Sequence, residues 1–158
     1  EYLAKIAYEK HGLKSICYRP FSGYGEDQDL NYPFPSICRR ILQNKDKKKF
    51  TVWGSGNQMR DFIHIDDCVY GVIKSMNKID NGDPLNLSNG IFLNFKDFAK
   101  KTAKIIGYNP KVVGTTNKPE GVFARAGDTS KQKQFGIKYK ITLENGIKKS
   151  LKFLDNKL

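Results

Sequence analysis

Residues 52–67, VWGSGNQMRDFIHIDD, place a glycine-rich turn, one arginine and an acid pair in close succession. A guanidinium offers paired donors in a fixed plane, and its bonds to phosphate oxygens are roughly twice as strong as neutral ones. Arg60 is therefore a candidate anion ligand, with a surface ion pair to Asp61 as the competing use. The stretch reads as a ligand loop docked onto a helix that Asp66 or Asp67 caps. Those two acids could also form a paired-carboxylate acid/base site, but their place before a periodic apolar run favours capping. His64, between Ile63 and Ile65 on a predicted strand, reads as a structural histidine rather than a proton carrier. Gly54-Ser55-Gly56 mimics the start of a dinucleotide loop, but no third glycine follows at the needed position, so it is read as a turn. Tyr70 and Lys74 form a literal YxxxK, yet the intervening Val72 and Ile73 fall on the predicted core face of a helix. They are read as a partly exposed pair.

Alternating helices and strands must position these groups. Residues 1–11 read as a helix with Leu3, Ile6 and Ala7 on one face and Gly12 at its end. It has no capping residue at its start, so the chain is expected to begin inside an element, as a fragment. Ser15-Ile16-Cys17-Tyr18 is a short apolar run typical of a buried parallel strand. Residues 21–35, with Gly23, Gly25, Pro33 and Pro35, read as an ordered loop, followed by a helix over 36–42 and a strand over 50–53. Val69, Val72, Ile73 and Met76 at helical spacing predict a core face. Pro84-Leu85-Asn86-Leu87 reads as a second buried strand. Asn94 and Thr142 are expected to cap two further helices, the first bearing Phe95, Phe98, Ala99, Thr102 and Ile106, the second Leu143, Ile147, Leu151 and Leu154. Phe92, Phe95 and Phe98 are read as core. The pattern is α/β.

Composition narrows the classes further. At 158 residues the chain is the size of one domain, and 39% hydrophobic content supports a packed core. No apolar run approaches the ~18 residues of a membrane span, so a non-membrane, cytoplasmic protein is expected. Cys17, Cys38 and Cys68 form no CxxC pair, and with His11 and His64 as the histidines a metal site is not expected. The net charge of +12 is uneven: residues 1–94 hold 13 Lys/Arg against 11 Asp/Glu, and residues 95–158 hold 15 against 5. Lys96, Lys100, Lys101 and Lys104 share one predicted helix, and Lys148, Lys149 and Lys152 another, as on solvated faces. The basic run Lys45-Asp46-Lys47-Lys48-Lys49 lacks interleaved aromatics, which argues against nucleic acid as a partner.

Four blocks in order resemble the nucleotide-sugar epimerases and dehydratases of the extended short-chain dehydrogenase/reductase family. They are Arg19-Pro20-Phe21-Ser22-Gly23-Tyr24-Gly25, residues 54–67, residues 84–90, and residues 121–131. The resemblance implies the C-terminal part of a Rossmann-like doubly wound parallel sheet plus a small α/β substrate-binding lobe. Residues 1–25 would end the dinucleotide-binding domain, 26–65 form a substrate-binding insertion, 66–90 return to the sheet, and 91–158 form the C-terminal lobe. The family's catalytic tyrosine and lysine would lie upstream of Glu1, as would the loop that binds most of NAD or NADP, so no catalytic residue is expected in this chain.

By the same resemblance Arg60 and Arg125 bind the diphosphate of a nucleotide sugar. Pro20, Phe21 and Ser22 flank the nicotinamide. Ser22 stands where many relatives have a substrate-contacting asparagine, and a hydroxyl cannot reproduce a bidentate amide. Tyr24 is a substrate-pocket or packing residue, and Asp128 and Ser130 start a helix. The intact protein is expected to be a homodimer, partly through residues 1–11. A catalytically inactive nucleotide-sugar binding module is the alternative, and a basic nucleic-acid-binding domain a weaker one.

Overall fold

A computed structural model describes residues 1–115, 117 and 120–157. The elements follow as α1 (Tyr2–His11), β1 (Ser15–Pro20), β2 (Gly23–Tyr24), α2 (Pro33–Gln43), β3 (Lys49–Trp53), β4 (Met59–Asp61), β5 (Ile63–His64), α3 (Ile65–Ser75), β6 (Asn81–Leu87), β7 (Phe92–Asn94), α4 (Phe95–Ile105), β8 (Lys111–Thr115), β9 (Ala124–Arg125), α5 (Ser130–Gln134) and α6 (Leu143–Asp155). The chain is α/β with mainly parallel pairing. β1 runs parallel to β6, β2 to β5 and β3 to β8, while β4 lies between antiparallel β7 and parallel β9.

Among the described residues, two hydrophobic cores hold these pieces. The larger gathers Phe34, Ile37 and Ile41 of α2, Phe50 and Val52 of β3, Phe98 and Ala99 of α4, and Ile147 and Leu151 of α6. Segments 26–65 and 91–158 therefore share one interior. Phe98, Ile41 and Ile147 are fully buried, each contributing roughly 1.5–3 kcal/mol of transfer free energy. The smaller core joins Leu85 and Leu87 of β6 with Ile63, Cys68 and Ile137.

Local chemistry explains most boundaries. Gly12 takes φ 64° and donates its N–H to Tyr8 O, closing α1. Asn94 Oδ1 accepts from Asp97 N, and Thr142 Oγ1 from Asn145 N, so both anticipated caps form.

Three expectations are corrected. First, α2 begins at Pro33, not residue 36: proline at the first helical position sacrifices no hydrogen bond, so Pro33 starts the helix instead of prolonging the loop. Second, α3 is capped by His64, whose Nδ1 accepts from Asp66 N, and by neither acid. Asp67 instead accepts from the N–H groups of Lys140 and Ile141, and Asp66 pairs with Lys149 Nζ at 2.9 Å. Third, the α3 residues buried in this chain are Asp67, Cys68, Gly71 and Ser75, while Val69, Ile73 and Met76 are half or more exposed. The helix approaches β6 closely enough that a Cβ at Gly71 would sit 2.9 Å from Leu87 Cδ2, a distance that only the small-residue side allows. Phe92 on β7, read as core, is likewise exposed.

Candidate functional site

The site forms where the end of β1 and the turn into β2 meet the β4–β9 pair. β1 ends at Pro20, Phe21 N donates to Leu87 O at 3.0 Å, and the chain turns at Ser22 to enter β2. Ser22 has φ 39°, the one non-glycine residue at positive φ among those described. This left-handed backbone is sterically costly for residues other than glycine and, to a lesser degree, asparagine.

β4 carries Arg60, and its parallel register with β9 sets Arg60 opposite Arg125. Arg60 Nη1 donates to Met59 O at 2.7 Å and Val122 O at 2.9 Å, and the guanidinium lies 5.3 Å from the centre of the Phe95 ring. Burial first, and the nearby Arg125 charge second, lower the Arg60 pKa from its ordinary value. An anion between the two guanidinium groups would relieve their mutual repulsion. The anticipated alternative, an ion pair between Arg60 and Asp61, is not among the contacts made. Successive residues of a strand point to opposite faces, and Asp61 is fully buried, accepting from Ser88 Oγ, Asn89 N and Gly90 N.

Both arginines, together with Pro20, Phe21 and Ser22, line one cleft of about 490 Å³. Tyr24 stays out of it. Its ring is 3% exposed, stacked on Phe34 with centroids 3.9 Å apart, and burial followed by the Asp67 charge pushes its phenol pKa well up. It borders instead a neighbouring apolar cleft of about 1010 Å³ with Tyr18, Cys68, Val69 and Leu87. Arg19, Gln28 and Tyr32 also line the arginine cleft, and no motif or spacing around them singles them out. Tyr32 is the residue before the Pro33 helix start, which the loop reading of 21–35 hid.

The remaining candidates make contacts within the fold. Gly54 and Gly56 take φ 65° and 75°, and Gly56 O accepts from Lys96 N at 3.1 Å, so the turn is docked on the start of α4. A Cβ on Gly56 would reach within 2.8 Å of the Lys96 side chain. His64 is buried, with Nε2 3.2 Å from Glu26 Oε2 and its ring edge-on to Tyr24. Lys74 Nζ stands 5.8 Å from the centre of the Tyr70 ring on α3. Asp128 Oδ1 accepts from Ser130 N and Oγ at the start of α5. Among the described residues no three or more His, Cys, Asp or Glu side chains group to hold a metal, and no helix is long and apolar enough to cross a membrane.

Comparisons with known proteins add the family. The chain is 27% identical over 150 residues to a probable GDP-L-fucose synthase of Oryza sativa subsp. japonica, an alignment covering 91% of this chain and 46% of that protein. It is 29% identical over 153 residues to GDP-L-fucose synthase of Escherichia coli, covering 87% and 48%. Among solved structures, UDP-glucose 4-epimerase of Thermotoga maritima with UDP-glucose superposes with a TM-score of 0.85 at 25% identity, over 99% of this chain and 50% of that one. RMD from Pseudomonas aeruginosa complexed with NADPH superposes with a TM-score of 0.86 at 18% identity, and shares the fold. The chain thus spans about half the length of the curated relatives it matches. A model of the NAD dependent epimerase/dehydratase family matches residues 1–89, more than half of the sequence and the part that ends in the Asp61-linked turn, so this chain belongs to the NAD dependent epimerase/dehydratase family.

Proposed function

We propose that this chain is the substrate-binding half of an NAD(P)-dependent nucleotide-sugar epimerase, dehydratase or reductase, with Arg60 and Arg125 holding the diphosphate. The observation that carries this reading is the pairing of two guanidinium groups across adjacent strands at one cleft. A diphosphate spreads its charge over several oxygens, and two planar donor forks can bind it from both sides.

Pro20, Phe21 and Ser22 lie at the carboxyl end of β1, where open α/β sheets bind ligands, and are the residues proposed to flank the nicotinamide. Bound NAD or NADP would supply the hydride acceptor and donor. This chain's part is to bind and orient the sugar nucleotide and to shield it with the walls of the cleft. Tyr24 supports those walls from behind, so its proposed contribution to substrate binding acts through Phe34 and the start of α2. The acid/base tyrosine and its lysine are proposed to lie in the half of the family's length outside this chain. The isolated chain is therefore expected to bind without turnover. A homodimer in the cytoplasm is the proposed assembly of the intact protein.

The relatives make guanosine-diphosphate sugars the first ligands to test and UDP-glucose the second. In the intact protein Arg60→Ala or Arg125→Ala should weaken nucleotide-sugar binding at least tenfold by calorimetry, the size of one lost charged hydrogen bond. Unchanged affinity in both variants would remove the diphosphate role. Tight binding without turnover by the intact protein would favour the inactive binding module instead.

A further inference from the structure

Three of the chain segments that line the cleft, those bearing Phe21, Arg60 and Arg125, meet at one buried serine outside it. Ser88, at the end of β6, is fully buried. Its Oγ donates to Asp61 Oδ2, next to Arg60, and accepts from Gly127 N at 3.3 Å, two residues after Arg125. Gly127 leaves no room on its third side: a Cβ there would stand 2.7 Å from Ser88 Cβ and 2.8 Å from Cδ2 of Phe21, the residue before Ser22. Asp61 fastens the same turn a second time by accepting from Asn89 N and Gly90 N, each at 3.0 Å. Gln132 fixes the serine itself, its Oε1 accepting from Ser88 N at 3.2 Å and its Nε2 donating to Ser88 O at 2.6 Å.

Short strands make such a fastening necessary. β9 is two residues long, and so brief a ladder specifies register weakly. The pairing it must hold also sets two positive charges side by side. Without an external tie, the segment carrying Arg125 could swing away from Arg60 at little cost.

We propose that Asp61 and Ser88 are positioning residues that hold the Arg60 and Arg125 guanidinium groups at the spacing a diphosphate needs, with Gly127 as the point of attachment. The inference rests on the diphosphate reading of the cleft and deepens it. Asp61 and Ser88 touch no ligand; they act through the backbones on either side of the arginines.

A double-mutant cycle in the intact protein, titrated calorimetrically with inorganic pyrophosphate, tests the proposal. Ser88→Ala should weaken pyrophosphate binding roughly tenfold, the effect of one buried hydrogen bond to a charged group. Arg60→Ala should then cost much less in the Ser88→Ala background than alone, because the pair is already misaligned. Ser75→Ala, which removes a buried hydroxyl bonded to Gly71 O on α3, should leave pyrophosphate affinity unchanged. Equal cost of Arg60→Ala in both backgrounds would overturn the positioning role, as would unchanged affinity in Ser88→Ala or an equal loss in Ser75→Ala. If Arg60→Ala and Arg125→Ala are each without effect, the diphosphate reading falls and this inference falls with it.

Discussion

Arg60 and Arg125 stand opposite one another across a parallel pair of strands although they lie 65 positions apart in the sequence. Like-charged side chains placed directly across strands destabilise a sheet. Their juxtaposition at a cleft is a cost in stability that a bound anion would offset.

Arg60→Lys should therefore not behave as a conservative change. The guanidinium bonds Met59 O and Val122 O through one nitrogen while lying over Phe95, and an ammonium cannot span those contacts and a phosphate together. Nucleotide-sugar affinity, measured by calorimetry, should fall by about 1–2 kcal/mol even though the charge is retained. Wild-type affinity in the lysine variant would show that charge alone matters.

Ser22 is held at φ 39°, so its replacement should change stability by backbone strain before any contact is considered. Ser22→Gly should raise the thermal midpoint, by an amount equivalent to roughly 0.5–1 kcal/mol. Ser22→Val should lower it by about 1–2 kcal/mol, because a β-branched side chain crowds the left-handed backbone. Calorimetric melting curves of the two variants should move in opposite directions, and a shift of the same sign in both would count against strain at this turn.

Gly146 of α6 faces the Tyr24 hydroxyl so closely that an added Cβ would overlap it. Gly146→Ala should lose roughly 1–3 kcal/mol to overpacking, despite alanine's better helix propensity. Adding Tyr24→Phe should restore part of that loss in chemical denaturation, since the overlapping atom is the hydroxyl oxygen. No recovery in the double variant would mean that α6 shifts away from β2 instead.

Burial raises the Cys68 thiol from the usual 9.0 to about 11, with the Asp67 charge a smaller cause. The folded state thus keeps a proton that the unfolded chain releases near pH 9. The stability this protonated thiol contributes is complete below that pH and is lost as pH climbs toward about 11. Cys68→Ala should flatten the stability profile across that interval. Cys38, fully buried and shifted further in the same direction, should leave a residual slope. An unaltered profile in Cys68→Ala would assign the alkaline loss to other groups.

Much of the framework could be read from short-range signals. Gly12, Asn94 and Thr142 punctuate helices through their own backbone and side-chain chemistry, and the apolar runs at 15–18 and 84–87 pair as parallel strands β1 and β6. What escaped detection depended on distance or on company. Periodicity identifies Val69, Val72, Ile73 and Met76 as neighbours on a helix, but which face this chain covers is decided by Gly71 meeting Leu87. An acid before an apolar run suggests a cap, yet His64 lies one step earlier and its ring nitrogen reaches the backbone N–H first.

The site was legible as separate residues and not as an arrangement. Arg60 and Arg125 stood out through the resemblance of their segments to the family, whereas β4 and β9 are too short to show a strand period. Nothing local links Asp61 to Ser88, and the acid's place beside Arg60 suggested an ion pair that strand alternation forbids. Tyr24, in a block rich in candidate contacts, was drawn into the core by Phe34 and Phe62.

The parallel pairing of β4 with β9 also sets an order of events. During synthesis the stretch bearing Arg60 leaves the ribosome well before its partner, and N-terminal parts of a chain fold first. The proposed anion clamp cannot close until the residues around Gly127 have emerged and found Ser88. On the proposed reading, ligand capture is thus a late milestone in the life of each new molecule, and free sugar nucleotide could not rescue by binding a nascent chain halted before that point.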